Sequence, residues 1–339
     1  MTATPRTHRP DAASGTDPGI PPQVLVGVDG SPGSRAAVRW ALHWAARHGA
    51  EVQVVAAYPT VASMGWLAAA EVTDLGRLDA VHDDTWSRAR EVVDQVREED
   101  PTVLGVPVAM HIEPGHPAEL LVRRSSEVDL LVVGTRGRGV VASAVTGSVA
   151  LHCVSSAACP VVVVPEPGGW ADPSVGVSVV AGVDGSARSA AAVAWGVEEA
   201  GPRGRVTAVR AYGVTDLWYD QYRAVTPTTA ERDAAELAAL EEGLAGLFEA
   251  TIGEHAEVHR LSVGGEAGPA LVEQAAGADL LVVASRGRGE FRGLVLGSVA
   301  LYCVLHAPCP VLVVRPTDRS WAPGRLRAAG VAATAGASV

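Results

Sequence analysis

Short apolar runs alternate with longer segments of helical periodicity along the first half of the chain. Val24–Val28 is a continuous apolar run rich in β-branched residues, and it ends at the turn Asp29–Gly33. Ser34–His48 then repeats its apolar residues every three to four positions, as one face of a helix requires. The same alternation predicts further strands at Glu51–Tyr58, Val106–Ile112, Leu130–Val133 and Val161–Val164, and helices at Leu78–Glu99, Pro117–Ser125 and Ser148–Val154.

The predicted strands are apolar along their whole length instead of alternating with polar residues. Strands of this kind are typical of a parallel sheet that helices cover on both faces, so we expect a doubly wound α/β domain. In such sheets ligands bind beyond the carboxyl ends of the strands, where the strand order reverses. If strands one and four are neighbours, the loops after Val28 and Val133 face one crevice.

The whole pattern occurs twice. Val26–Ser31 recurs as Ala181–Ser186, and Trp40 and Trp195 lie at the same offset of 155 residues. Later counterparts such as Gly115 and Gly265 lie 150 residues apart, so the second copy is about five residues shorter. We predict a flexible N-terminus at 1–21, a first domain at 22–166, a linker at 167–175, a second domain at 176–316 and a flexible tail at 317–339. The paired tryptophans are expected to pack in the core or between the domains.

Each copy carries a glycine pattern with a long, specific spacing. The first reads Gly134–Gly137, nine residues, then Gly147–Ser148; the second reads Ala284–Gly287, nine residues, then Gly297–Ser298. A strand that ends in such a loop leaves backbone N–H groups unpaired, and a helix that follows aims further N–H groups and its positive dipole end at the same point. The pattern predicts a phosphate site in each copy. The alternative is that the glycines only permit a tight turn, which does not by itself require the spacer.

The basic residues exclude two classes of nucleotide-binding protein. The chain has no lysine, so all 27 basic residues are arginines, and both the Walker A loop and the protein kinase fold need a lysine at the phosphates. The net charge of -11 argues against binding to nucleic acid. No apolar run approaches the roughly 20 residues of a membrane span, and no N-terminal signal pattern is present. We therefore expect a cytoplasmic protein that binds no membrane.

No doubled set of residues suits catalysis or metal binding. His111 and His116 look like acid or base groups, but their counterparts are Leu261 and Glu266. The cysteines form two Cys-x5-Cys pairs, a spacing that suits neither zinc nor a redox pair, so buried thiols are the better interpretation. These cysteines are Cys153, Cys159, Cys303 and Cys309.

The motifs, in this order and repeated, resemble the universal stress protein family. The carriers of the resemblance are Val-Asp-Gly-Ser after strand one, Gly-x2-Gly-x9-Gly-Ser after strand four, and the closing Cys-Pro-Val strand. The chain is most similar to the tandem-domain, ATP-binding members found in actinobacteria. This resemblance implies two domains related by a pseudo-twofold axis and paired through their last strands, Val161–Val164 and Val311–Val314. Since dimers are common in such families, a homodimer is a further expectation.

The resemblance also implies which residues meet the nucleotide. The aspartate after strand one would meet the adenine end, the end of strand two would offer backbone groups to the base, and the glycine loop and helix start would hold the phosphates. Mg²⁺ would be held by phosphate oxygens, without protein ligands. The implied residues are Gly27, Asp29, Ala57, Val133, Gly134, Gly137, Arg138, Gly147, Ser148 and Val149 in the first copy, and Gly182, Asp184, Ala211, Val283, Ala284, Gly287, Arg288, Gly297, Ser298 and Val299 in the second.

Two alternatives stay open for these residues. Asp29 and Asp184 suit a turn or a helix cap as well as a ligand. Ala284 replaces Gly134, and if that position needs a positive φ, alanine costs about 1–2 kcal/mol, or roughly tenfold in affinity. If the position is the extended end of strand four, the methyl group is tolerated and the two sites match.

The resemblance implies a nucleotide-dependent regulator of stress or dormancy that acts through a protein partner. The sequence lacks a doubled group that would activate water, so we expect binding without fast turnover. A slow ATP hydrolase and an interaction scaffold with nonfunctional sites are the two alternatives.

Overall fold

The computed structural model of the chain describes residues 21–59, 75–135, 147–166, 176–212, 234–235, 238, 257–285 and 296–315. Strands and helices alternate in these ranges. The strands are β1 Gln23–Gly27, β2 Glu51–Tyr58, β3 Val108–Pro114, β4 Leu130–Gly134, β5 Val161–Val164, β6 Ser178–Gly182, β7 Arg205–Tyr212, β8 Glu257–Gly264, β9 Leu280–Ala284 and β10 Val311–Val314. The helices are α1 Pro32–His48, α2 Leu75–Glu99, α3 Pro117–Arg124, α4 Ser148–Ser156, α5 Ala187–Ala200, α6 Ala267–Gln274 and α7 Ser298–His306.

One ten-stranded sheet runs through both copies in the order β3-β2-β1-β4-β5-β10-β9-β6-β7-β8. All pairs within a copy are parallel. Strands β1 and β4 are neighbours, as are β6 and β9, so the strand order reverses beside the first strand of each copy. The expected doubly wound α/β architecture is confirmed.

Helices cover the sheet on both faces. Side chains of α1, α2 and α5 form one buried apolar layer, and those of α3, α4, α6 and α7 form the other. Trp40 and Trp195 lie in the first layer, each about 3% exposed. None of the helices in the described ranges is both long and apolar enough to span a membrane.

The two copies join where β5 meets β10. These strands are antiparallel, with Val162 opposite Leu312 and Val161 opposite Val313. Because Val162 and Leu312 are counterparts at the 150-residue offset, a pseudo-twofold axis passes between them. Every residue of both strands is buried. The last strands of the copies therefore close each other's edge, and no bare apolar edge is left at the centre.

Local hydrogen bonds set the ends of the elements. α1 begins at Pro32 instead of the expected Ser34, because Ser31 is its N-cap and a proline is well suited to the first turn. β3 begins two residues later than expected, since the N–H of Val106 still donates to Val103 O in a turn, at 3.2 Å.

Val162 tests the dependence of the fold on the central pairing. The side chain is fully buried, so we expect Val162→Asp to cost at least about 3 kcal/mol in the free energy of unfolding, because a carboxylate loses its hydration there. Urea unfolding followed by circular dichroism measures this. The control Leu104→Asp, at a residue 58% exposed, should change stability by less than about 0.5 kcal/mol. Equal losses in the free energy of unfolding of the two variants would contradict the conclusion that the fold depends on the buried pairing of β5 with β10.

Candidate functional site

The chain leaves β1 through a turn that an aspartate holds. Asp29 Oδ1 accepts the N–H of Ser31 at 2.9 Å, and Ser31 Oγ accepts the N–H of Ser34 at 3.2 Å to cap α1. Gly30 supplies the positive φ of 77° that the turn needs. The second copy repeats the bond, from Ser186 N to Asp184 Oδ1 at 2.9 Å. Both aspartates therefore have the turn role, and their carboxylates lie at the carboxyl end of the first strand.

The end of β2 directs backbone groups toward the same place. Val55 O accepts the N–H of Val28 at 2.9 Å, so the polar groups of Val55 face β1. Backbone groups of a strand alternate between its two sides, which turns those of Ala57 the same way. Since β1 ends at Gly27, opposite Val55, Ala57 faces the crevice beyond the strand end. Ala211 has the same geometry, because Val209 O accepts the N–H of Val183 at 2.8 Å.

The end of β4 and the start of α4 are tied together. Thr135 N donates to Val164 O at 3.0 Å, and Gly147 N donates to Thr135 O at 2.5 Å. This bond closes the base of the glycine loop and holds the first turn of α4 beside the strand end. Ser285 and Gly297 repeat it in the second copy at 2.7 Å.

Gly27 and Gly182 have a packing role. A Cβ on either would lie 2.9 Å from a leucine methyl group, that of Leu121 in α3 or that of Leu271 in α6. The nucleotide need not explain glycine at these two positions.

Gly134 lies where β4 passes the first turn of α1. A Cβ there would be 2.5 Å from Gly33 O and 2.6 Å from Gly33 C, far inside van der Waals contact. Gly134 is the extended end of the strand, paired with Val164, and its φ is not positive. Glycine is needed at this position because a backbone carbonyl approaches it, and the positive-φ explanation is wrong.

Ala284 is also an extended strand end, paired with Val314. No described residue other than glycine has a positive φ, so alanine carries no backbone strain there. At the corresponding place in the second copy, the first turn of α5 has Arg188 where the first copy has Gly33. Of the two alternatives, the structure supports the one in which the methyl group is tolerated.

The structure brings most of the expected site residues to one edge of each half-sheet. Val133 and Val283 are buried beside the strand ends, and Ser148 and Val149 form the first turn of α4. Outside the described residues lie Gly137, Arg138, Gly287 and Arg288, so their expected role stays a prediction. Sequence reasoning missed Gly33, Thr135 and Ser285. Thr135 and Ser285 directly follow the fourth strand of their copies, and this position is the one signal that the sequence offers for them. The sequence offers no such signal for Gly33.

A charged cluster joins β3 to α3, and its Glu113 lies opposite Ala57 in the strand pairing. Glu113 pairs with Arg123 at 2.7 Å and with Arg124, and burial, followed by the charge of Arg124, lowers the pKa of His111. The second copy has Leu261 and Val263 in place of His111 and Glu113, so the cluster is not doubled. In the described part of the chain, no three acidic, histidine or cysteine side chains are grouped as metal ligands.

The four cysteines are buried, as expected. Burial raises the pKa of the Cys153, Cys303 and Cys309 thiols to about 12. Since the thiolate is the reactive form, these sulfurs are inert at neutral pH.

A thiol titration checks this. With a disulfide reagent at pH 8 the folded protein should react far more slowly than a free thiol, and in denaturant all four cysteines should react. Fast reaction of the native protein would show that a thiol is accessible.

The contact at Gly134 predicts different effects of reciprocal substitutions. Gly134→Ala should lower the free energy of unfolding by about 1–3 kcal/mol, because the methyl group displaces the start of α1. The matched change Ala284→Gly removes a methyl group that the second copy accommodates, and should cost only about 0.5–1 kcal/mol of backbone entropy. Denaturant unfolding of both variants measures the difference. If the Gly134→Ala protein were as stable as the wild type, the first turn of α1 could move away from the strand without cost. The close contact would then not explain the glycine.

Comparisons with known proteins agree with this geometry. The family model described as "Universal stress protein family" matches residues 22–165 and again 178–315. A universal stress protein of Mycolicibacterium smegmatis is 34% identical over 298 residues, covering 86% of this chain and 97% of the relative. One from Mycobacterium tuberculosis is 32% identical over 314 residues, covering 87% and 96%.

Solved structures show the same fold. The crystal structure of a universal stress protein from Archaeoglobus fulgidus superposes with a TM-score of 0.58 at 19% identity, covering 86% of this chain and 98% of the other. Two matched domains that fill most of the chain, and relatives above 30% identity over nearly their whole length, lead to one conclusion. The chain belongs to the universal stress protein family.

Proposed function

We propose that each copy binds an adenine nucleotide, with ATP as the ligand, along the carboxyl end of its half-sheet. The base end would lie against Asp29 and Ala57 in the first copy and against Asp184 and Ala211 in the second. The phosphates would lie at the start of α4 and at the start of α7.

The observation that carries the proposal is a backbone arrangement built twice. In both copies an extended strand end directs polar groups into the crevice, and a hydrogen bond fixes a helix start beside the neighbouring strand end. The helix-fixing bonds, Gly147 N to Thr135 O and Gly297 N to Ser285 O, are 2.5 and 2.7 Å long. Turn formation alone does not require a helix start at a fixed place beside the crevice.

The phosphate end fits a polyanion. α4 and α7 have glycine at the N-cap, so no side chain occupies the first-turn N–H groups, and neither helix has an acidic residue in its first turn. Those N–H groups and the helix dipole favour a negative ligand. Bound Mg²⁺ would be held by phosphate oxygens.

The base end offers one hydrogen-bond donor and one acceptor on the backbone of Ala57. Adenine presents the complementary pair, an amino group and a ring nitrogen, on one edge. The Asp29 carboxylate adds an acceptor at the neighbouring strand end. A donor and an acceptor at fixed positions give selectivity for the base, because a mismatched edge leaves a buried polar group unpaired.

We further propose that the protein holds ATP instead of turning it over quickly. At the described part of each site the polar groups are backbone amides, serine or threonine hydroxyls and one carboxylate, and that carboxylate accepts a hydrogen bond from its own turn. The arrangement binds and orients a nucleotide.

Occupancy would regulate the protein by stabilising its folded form. A ligand at a hundred times its dissociation constant adds about 2.7 kcal/mol to stability. In a family named for stress, we propose that ATP level sets the population of the state that a partner protein recognises.

Calorimetry with site-selective variants tests the two sites. We expect two ATP per wild-type chain and one in Ser148→Asp, because the new carboxylate repels the phosphates. The same carboxylate should stabilise the ligand-free helix start by about 0.3–1 kcal/mol through the helix dipole. Loss of binding is thus separated from unfolding. Ser298→Asp should remove the other site.

The matched control is His152→Asp, an exposed position one turn later on α4, which should leave both sites intact. Unchanged binding by Ser148→Asp would refute the placement of the phosphates. A wild-type chain with no nucleotide binding and no thermal shift would favour the scaffold alternative, and phosphate release that the double variant Ser148→Asp/Ser298→Asp abolishes would favour the hydrolase.

A further inference from the structure

Trp44 and Glu199 occupy the same position in the two copies and contact each other. They lie 155 residues apart, the offset that relates Asp29 to Asp184. The Nε1–H of Trp44 donates to Glu199 Oε1 at 2.8 Å. The two residues are about 1% and 2% exposed.

Counterparts that touch each other lie on the axis that relates the copies. Val162 and Leu312 mark this axis within the sheet, and Trp44 and Glu199 mark it between α1 and α5. The axis position in the helix layer therefore holds an indole from one copy and a carboxylate from the other. Two identical copies could not place such an unlike pair there.

The groups around the Glu199 carboxylate come from the first copy. His48 Nε2 lies 3.5 Å from Glu199 Oε2, and an Arg47 N–H donates to Glu199 O at 2.5 Å. Burial by itself raises the pKa of Glu199, but the nearby charges of His48 and Arg47 and the hydrogen bond from Trp44 hold that pKa below its usual value. The charge of the buried Glu199 carboxylate is thus compensated by residues of α1 in the first copy.

Pairing of like copies would lose this compensation. Two second copies would bring Glu199 against Glu199, with Pro202 and Arg203 in the places of Arg47 and His48. Two carboxylates would then be buried together, which is strongly unfavourable. Two first copies would oppose two indoles and offer no acceptor for their N–H groups.

A second contact across the domains is equally one-sided. Arg315, directly after β10, donates to Ala157 O at 2.6 Å and Val154 O at 2.7 Å, at the C-terminal end of α4. A cation is favourable at that end of a helix. The counterpart of Arg315 is Pro165, which has no side-chain donor. The reciprocal contact therefore has no donor.

We propose that this interface is heterospecific: the axis-facing side of α1 is a docking surface for α5 of the unlike copy and rejects a copy of its own kind. The partner it fits is the second domain of the same chain. This selectivity keeps like domains of different chains from pairing. The inference does not depend on nucleotide binding.

Exchanging the two side chains is the direct test, on the full-length protein. Trp44→Glu places two carboxylates on the axis, and we expect its Tm to fall by about 5–10 °C, as for a broken buried ion pair. Glu199→Trp places two indoles there and should also lower the Tm. The double variant Trp44→Glu/Glu199→Trp restores one of each and should recover at least half of the loss seen in Trp44→Glu. Additive losses in the double variant would overturn the proposal, because a merely space-filling role gains nothing from exchange.

Conservative variants test the pairing itself if the exchanged ones do not fold. Glu199→Gln keeps the acceptor for Trp44 but removes the repulsion between two second copies. We expect oligomers that grow with concentration in light scattering, formed by domains pairing between chains, in excess of any seen for the wild type. The control Glu99→Gln removes an exposed carboxylate that pairs with Arg39 within the first copy and should match the wild type. If Glu199→Gln also matches it, the carboxylate does not select the partner and the proposal fails.

Discussion

Strands that are apolar on both faces must be covered on both faces, and a strand of this kind must not lie unpaired at the edge of a sheet. In this chain the pairing of β5 with β10 satisfies that constraint, since each four-residue run supplies the missing neighbour of the other. The pairing also determines the relation of the copies, because Val162 can lie opposite its counterpart Leu312 only around a twofold axis. The layer of α1 and α5 must then meet across the same axis, which leads to the contact of Trp44 with Glu199.

The candidate site is a by-product of how a doubly wound sheet ends. β1 stops at Gly27 while β2 continues to Tyr58, so the last part of β2 has backbone groups beyond the reach of its neighbour. The reversal of strand order places β4 and the start of α4 on the other side of the same gap. Few side chains are needed to make such a crevice polar. This accounts for a site whose described residues are mostly glycine, alanine, valine and serine.

Much of the fold and of the candidate site was predictable from local patterns in the sequence. The remaining features depend on distances between segments that are far apart in the chain. The bounds of β2 and β5 follow from apolar runs between turns, and the neighbourhood of β1 and β4 follows from the doubly wound arrangement. The reason for glycine at position 134 was not predictable, because it lies in the approach of Gly33, about a hundred residues earlier. Nor does any local pattern mark Trp44 and Glu199, since an indole and a carboxylate at equivalent positions look like ordinary divergence until the axis is known. The role of four motif residues outside the described ranges stays a prediction; these are Gly137, Arg138, Gly287 and Arg288.

The antiparallel junction has a consequence for the two crevices. Strands of the first copy point their carboxyl ends at one edge of the sheet, and strands of the second copy point theirs at the opposite edge. A strand of five residues spans about 16 Å at roughly 3.3 Å per residue. Anions held at opposite edges would therefore be farther apart than anions held at one edge, and their mutual repulsion on this acidic chain would be weaker. A partner protein that contacts both crevices at once would have to extend from one edge of the sheet to the opposite edge.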